Sequence, residues 1–448
     1  MLTFDRIALQ VPTLLLPRVD IDLTKWAVIA CDQYTSEPAY WEKVEELTAG
    51  SPSTSHLIFP EVYLEEPDSE ERIRRINHEM ERYLAEGILV PQKPGFLLVD
   101  RQTQAVPSRK GVIVALDLEQ YDYREGAQSL IRATEGTILD RLPPRIRVRE
   151  QACIELPHIM VLIDDPQQTV IEPLFARLQE TVYDFPLMLG GGHIRGYRVD
   201  AADSIRQVAK ALERLADPEQ FARRYDVEGR PVVLYAMGDG NHSFATAKAI
   251  WEKLKEEAPG RQAIMDHPAR YALVELVNLH DPGLEFEAIH RVLFDVDVEA
   301  MLLQMGNYFA GQGAILRCER FAERAALEAA RRAADTGHRH QIPFVSSDGF
   351  GLLTIENPTL HLTVATLQGF LDHFLAAERN ARIDYIHGEE AVTSLGSRQG
   401  NVGFYLPAIS KHELFKTIIL DGALPRKTFS MGEADEKRFY LECRKIRR

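Results

Sequence analysis

Helix-type and strand-type spacing of apolar residues alternate along most of the chain. Short apolar runs bounded by polar turns predict strands over residues 26–31, 95–100, 110–118, 158–163, 231–237, 270–279, 352–355, 383–387 and 401–406. The 95–100 and 110–118 runs are joined by a polar, proline-containing turn, as in a hairpin. Helical spacing predicts helices over 68–87, 166–183, 241–257 and 321–335. Asp68, with Glu71 three residues later, reads as a helix start, and Gly87 as a stop. Pro143 and Pro144 break helical spacing, so residues 142–149 read as a hinge or boundary. The predicted layout is an N-terminal α/β part, 1–142, and a larger α/β part, 143–448, together forming one cleft. Hairpin and crossover signals both occur, so the fold class is α+β, a mixed α/β chain rather than a regular doubly wound sheet.

Composition narrows the functional classes. The 448 residues carry 67 acidic and 52 basic side chains, a net charge of −15. That balance argues against nonspecific binding to nucleic acid and against adhesion to anionic membranes. Hydrophobic residues at 45% and charged residues at 27% are ordinary for a globular protein and exclude wholesale disorder. At ~100–200 residues per domain, the length suits two or three packing units. The best apolar run, 159–163, ends at Asp164 and Asp165, far short of the ~18 residues of a membrane helix. The N-terminal segment has no basic leader before its apolar stretch, so no signal peptide is expected. Cys31, Cys153, Cys318 and Cys443 are scattered, which suits a reducing cytoplasm and gives no zinc or redox motif.

Five segments concentrate chemistry. In MGDGNHSFATAK, 237–248, a strand ends at Met237, Gly238 and Gly240 permit a tight turn, and a helix begins near Asn241 or His242. Such a helix start is an anion site, with Asp239, Asn241, His242 and Ser243 around it. Equally, Asp239 or Asn241 would simply cap the helix. The second segment, 132–149, holds Arg132, Glu135, Arg141, Arg145, Arg147 and Arg149. Arginine forks suit phosphate or carboxylate, and Glu135 in a Thr-Glu-Gly-Thr turn suits proton abstraction from a hydroxyl. The bland account makes RIRVR a strand with its arginines in water and Ile146 and Val148 in the core. In LGGGHIR, 189–195, the glycines read first as a turn between strands. CDQYTSEPAYW, 31–41, places Asp32, Gln33, Tyr34, Thr35 and Ser36 at a strand end, where sites tend to sit, and reads equally as a plain turn and helix cap. In 278–291, His280 and His290 read as structural first. His338 and His340 are too thin for a metal site. The chain has no Walker A loop, no G-x-G-x-x-G, no H-E-x-x-H, no G-x-S-x-G and no kinase H-R-D set.

CDQYTSEPAYW, ATEGTILDRLPPR, GDGNHS, HDPGLEFEAIHR and LPRKTFSMGEADEKRFY occur in order along the chain. Together they resemble a large bacterial and archaeal domain-of-unknown-function family. Many of its members carry Asp-Gly-His-His-Arg where this chain has Asp239, Gly240, Asn241, His242 and Ser243. That segment resembles the phosphate-contacting helix start of the ParB/sulfiredoxin-like superfamily, which includes a free serine kinase. The resemblance implies a ParB/sulfiredoxin-like nucleotide-binding core elaborated with further sheet and helices. It also implies ATP or ADP with Mg²⁺, and serine or phosphoserine as substrate. Glu135 would then be the base, Asp239 a metal or water ligand, and His242 and Arg132 the groups that stabilise the transferring charge. Arg141, Arg145, Gly238, Gly240, Asn241, Ser243, Asp32, Gln33 and Tyr34 would surround phosphate and substrate. No metal held by protein ligands alone is expected. Asn241 and Ser243 depart from the family pattern, and the arginine missing at 243 would have to come from the 132–149 segment. A cytoplasmic phosphotransferase acting on a small molecule, as a homodimer, is the first reading. A non-catalytic nucleotide-binding regulator and a protein-interaction module are the alternatives.

Overall fold

The computed structural model describes every residue except 1, 65, 125, 137–141, 178, 334–338 and 433. Side chains are described except at those positions and at 143, 144, 261, 332, 333 and 412. Arg141 and His338 therefore lie outside the described residues. The chain divides into two compact units, one of residues 1–285 with 432–448 and one of residues 286–431. The boundary expected between 142 and 143 falls within the first unit. Both units mix helices with largely antiparallel sheet, so the fold class is α+β. Among the described residues no helix is long and apolar enough to cross a membrane.

The first unit is built on an 11-stranded sheet. Its main path uses β1 (Phe96–Gln102), β2 (Arg109–Asp117), β3 (Tyr121–Asp122), β4 (Ile131–Arg132), β5 (Met160–Ile163), β6 (Glu180–Pro186), β7 (His193–Val199), β8 (Tyr235–Asp239) and β9 (Tyr271–Asn278). The order is β6-β7-β1-β2-β9-β5-β8-β4-β3. β5 runs parallel to β9, and β4 runs parallel to both β8 and β3; the other neighbours on this path are antiparallel. The central strands are buried on both faces, which their continuous apolar runs require. Three helices position the site: α1 (Ser69–Ala85), α2 (Leu142–Glu150) and α3 (Asn241–Glu257). Residues 432–448 return to this unit, where Phe439–Tyr440 pairs with Val28–Ile29 and Arg444–Lys445 with Ile154–Glu155.

The second unit is a seven-stranded sheet. It contains β10 (Glu287–Phe294), β11 (Ile315–Phe321), β12 (Arg339–Ser346), β13 (Gly349–Glu356), β14 (Arg382–His387) and β15 (Val402–Phe404). They lie in the order β11-β13-β12-β15-β10-β14, with Phe429–Ser430 added beside β10.

Three local expectations are corrected. Residues 166–183 do not form one helix: only Glu172–Phe175 is helical, and β6 follows. β6 pairs with β7 as a hairpin, and LGGG is the turn, with positive φ at Leu189, Gly190 and Gly192. Residues 142–149 are neither hinge nor strand, because α2 runs through them. Pro143 and Pro144 fall in its first turn, where the amides they lack would have no helical partner. Residues 26–31 give only a two-residue strand, Val28–Ile29, behind a short helix ending at Trp26.

Candidate functional site

The site lies at one edge of the large sheet. β4 and β8 are parallel neighbours, so both carboxyl ends reach this edge. β5 runs opposite to β8, so the segment leading into β5 starts here, with Met160 opposite Asp239. Glu135 follows β4, Asp239 ends β8, and His158 precedes β5. Thr134 Oγ1 donates to the Met237 carbonyl at 2.7 Å, tying the Glu135 turn to the end of β8.

α3 begins immediately after β8. Its apolar face, Phe244, Ala247 and Trp251, packs on the sheet at helical spacing. Gly240 occupies the N-cap at φ +77°, and a Cβ there would lie 3.0 Å from the Ile159 Cα. Gly238, by contrast, lies within β8. Neither Asp239 nor Asn241 caps the helix; Asp239 Oδ1 instead accepts from the Gly240 amide at 2.8 Å. The first-turn amides have no acceptor within the helix, so the helix start carries partial positive charge. The buried Asn241 Oδ1 has no hydrogen-bond partner among the described residues.

Around the helix start stands a polar cluster. Lys437 Nζ lies 3.2 Å from Asp239 Oδ2. Burial pushes the Asp239 carboxyl up, but Lys437, His158 and the Gly240 amide outweigh it and hold it below the usual range. His158 Nε2 lies 3.1 Å from Ser243 Oγ and 3.7 Å from Asp32 Oδ2. Its Nδ1 lies 2.6 Å from the Tyr440 hydroxyl, which itself is 3.1 Å from Cys31 Sγ. Burial, then Asp32 and Glu61, push the Cys31 thiol up, so it is no thiolate nucleophile. Burial and the neighbouring Cys31 and Asp32 keep Tyr440 a neutral phenol. Ser243 and His158 thus form a hydroxyl–imidazole pair with the imidazole oriented from its far side, the arrangement that proton transfer to or from a hydroxyl needs.

α2 brings arginines to the same place. Arg145 and Arg149, four residues apart, share one face of the helix. Arg145 pairs with Glu61, and Arg149 Nη2 lies 2.5 Å from Glu155 Oε2. Burial and Asp32 raise the Glu61 carboxyl, with Arg145 opposing. Arg147 points outward, 3.5 Å from Glu70. A cavity of about 130 Å³ is lined by Arg145, Arg149, His158, Ser243, Thr246 and Tyr440, with an apolar interior behind them. The arginine segment and the first turns of α3 therefore share one cavity, through Arg145 and Arg149 on one side and Ser243 and Thr246 on the other.

The remaining expected residues fall elsewhere or to its side. Arg132 is buried in β4, its guanidinium donating to the carbonyls of Ser129 and Pro231. Gln33 donates to Asp32 at 3.0 Å, and Tyr34 stacks on Tyr40 with centroids 3.9 Å apart. His242 follows Asn241 in the first turn of α3, and its carbonyl accepts from Thr246 Oγ1. His280 bonds Asp164 at 2.6 Å at the opposite edge of the sheet, beyond Asn278, where β9 ends. His290 Nδ1 accepts from the Leu406 amide inside the second unit. His158, Tyr440, Lys437 and Glu61 are the site residues that sequence reasoning missed. Among the described residues no group of three or more His, Cys, Asp or Glu is arranged to hold a metal ion.

In this α+β architecture, a largely apolar cavity with a polar mouth borders the start of a helix. The chain belongs to the family described as Protein of unknown function (DUF1015), whose model matches residues 15–374. No curated protein matches it. Among solved structures it is similar to a conserved hypothetical protein from Pyrococcus furiosus, at 11% identity and a TM-score of 0.36, over 75% of this chain and 95% of that one. A free serine kinase in complex with AMP is similar at 10% identity and a TM-score of 0.37, over 75% and 91%. SbnI with a C-terminal truncation, from Staphylococcus aureus, is similar at 9% and 0.35, over 71% and 83%. Likeness of this degree assigns no activity.

Proposed function

We propose that the chain transfers a phosphoryl group from a nucleoside triphosphate to the hydroxyl of a small molecule. The observation that carries this reading is the convergence at one sheet edge of the α3 start, the Asp239–Lys437 pair and the Ser243–His158 pair. First-turn amides and Lys437 supply positive charge for phosphate. The unpartnered Asn241 Oδ1 is an acceptor that fits a donor group of a ligand at that position. His158, oriented by Tyr440, takes the hydroxyl proton. The hydroxyl oxygen forms the new bond to phosphorus, the bond to the bridging oxygen breaks, and the nucleoside diphosphate leaves with that electron pair. Glu135, the base expected from the sequence, follows β4, the parallel neighbour of the strand that ends at Asp239, and in this reading it serves the phosphate rather than the hydroxyl. Magnesium would arrive with the nucleotide and would need one or two protein carboxylates; Asp239, at the end of β8, and Glu135, after β4, would be the residues to hold it. No step here runs through it.

The test is phosphoryl transfer from ATP followed by ³¹P NMR, together with thermal shift by ATP and ADP. Asp239→Asn and His158→Gln should each lower turnover by at least about 100-fold while the fold survives. Full turnover in both variants would overturn the reading. Nucleotide binding without transfer in the unmodified protein would favour a regulator instead.

A further inference from the structure

The cavity behind the polar edge has a wall chemistry of its own. Its surface is mostly apolar, with Leu57, Phe59, Met80, Val148, Ile154 and Leu156 among the side chains that line it. The charges in the wall are already matched inside the protein. Arg145 faces Glu61, and Arg149 faces Glu155, which also accepts from Arg444 Nε at 2.7 Å and from the Leu273 amide at 3.0 Å. A free amino acid such as serine would bring an ammonium and a carboxylate into this space. Each would need a partner taken from an existing pair, and an uncompensated buried charge is costly. A hydrocarbon body gains from the same surroundings. The volume, about 130 Å³, is comparable with the ~150 Å³ engineered apolar cavity that takes benzene. At the mouth, Ser243 Oγ and His158 Nε2 lie 3.1 Å apart and offer both donor and acceptor to a hydroxyl.

We infer that the acceptor is an alcohol with an apolar body of roughly benzene size, seated in this cavity with its hydroxyl at the Ser243–His158 edge. The word acceptor rests on the phosphoryl-transfer reading; the occupancy of the cavity does not. The bond changes are those given above, with the alcohol oxygen attacking phosphorus, its proton passing to His158 and the nucleoside diphosphate leaving.

The experiment is an NMR titration of the unmodified protein with 1-butanol, 1-pentanol, 1-hexanol and L-serine, followed by ATP-dependent transfer to each. The dissociation constant is expected to fall about fourfold per added methylene, which is ~0.8 kcal/mol per buried CH₂ converted to a ratio. Ala152, buried in the cavity wall, gives a second check. Ala152→Leu should weaken 1-hexanol at least about tenfold by filling the space and leave the thermal shift by ATP in place. Serine binding as tightly as 1-hexanol, or affinity independent of chain length, would overturn the inference. Chain-length-dependent binding with no transfer to any alcohol would instead sink the phosphoryl-transfer reading and leave the cavity assignment standing.

Discussion

Tyr440 is the residue on which the polar cluster turns. Its hydroxyl meets His158 Nδ1, Cys31 Sγ and the Cys31 amide, and no solvent replaces it because the ring is buried. Tyr440→Phe strands these groups. The expected loss is about 1–3 kcal/mol of stability, read by urea denaturation, together with reduced turnover. Arg438 is a second such point. It is buried against Glu275 at 2.5 Å, Glu442 and the Pro157 carbonyl at 3.1 Å. Arg438→Met leaves two carboxylates uncompensated, and the expected cost is about 3–5 kcal/mol. Replacing all three charged residues by apolar ones of similar volume should cost much less in the same measurement, because the desolvation penalty then disappears.

At the level of elements, α3 was legible to the residue. The expected 241–257 and the observed Asn241–Glu257 coincide because a glycine turn opens it and Pro259 with Gly260 follows its end. The β1–β2 hairpin was nearly as clear, from two strong apolar runs around a proline-containing turn. α2 was not legible, since two prolines dominate its local pattern, and prolines in a first turn are compatible with the helix that follows. β6 was missed because ETVYDFP is half-exposed and gains its order from pairing with β7. The same limit applies to the site. Asp32, Arg145, Asp239 and Ser243 were visible because each sits in a dense local motif. His158 and Tyr440 lie 282 residues apart, and periodicity reports only neighbours along the chain. One element carries a direct test. Gly240→Ala forces a side chain into a left-handed backbone position and against Ile159, and should cost at least about 1–2 kcal/mol, measured by thermal denaturation.

For the whole molecule, the titrating groups set a stability profile. Burial lowers His56, His267 and His290, so the unfolded chain takes up their protons first, from its ordinary value of 6.5. Their contribution is full above that pH and is lost as pH falls through the lower folded values. Asp239, Glu155 and Asp164 are lowered despite burial by their cationic and hydrogen-bonding partners, so their contribution is lost below roughly pH 4. Glu61, Glu172 and Asp281 are raised by burial and act in the opposite sense: the folded form binds their protons first, which adds stability as pH falls. Melting temperature against pH should therefore decline from about pH 6.5, flatten, and decline again below about pH 4. A profile that rises between pH 7 and 5 would contradict this assignment.

The first unit is discontinuous in sequence, since residues 432–448 return to it after the whole of the second. During synthesis, domains fold as units as they emerge, at ~5–20 residues per second. Residues 286–431 can close upon themselves while the first unit still lacks Lys437, Arg438, Tyr440 and Arg444. A nascent chain therefore carries a half-built cavity through the translation of some 146 further residues, the length of 286–431. A ribosome that stalls in that interval releases a product with no oriented His158, and with Glu155 and Glu275 facing no cation from that segment. Synthesis of residues 432–448 is thus coupled to competence of the cavity, and products that stop before them carry the exposed, unpaired surface that proteolysis selects.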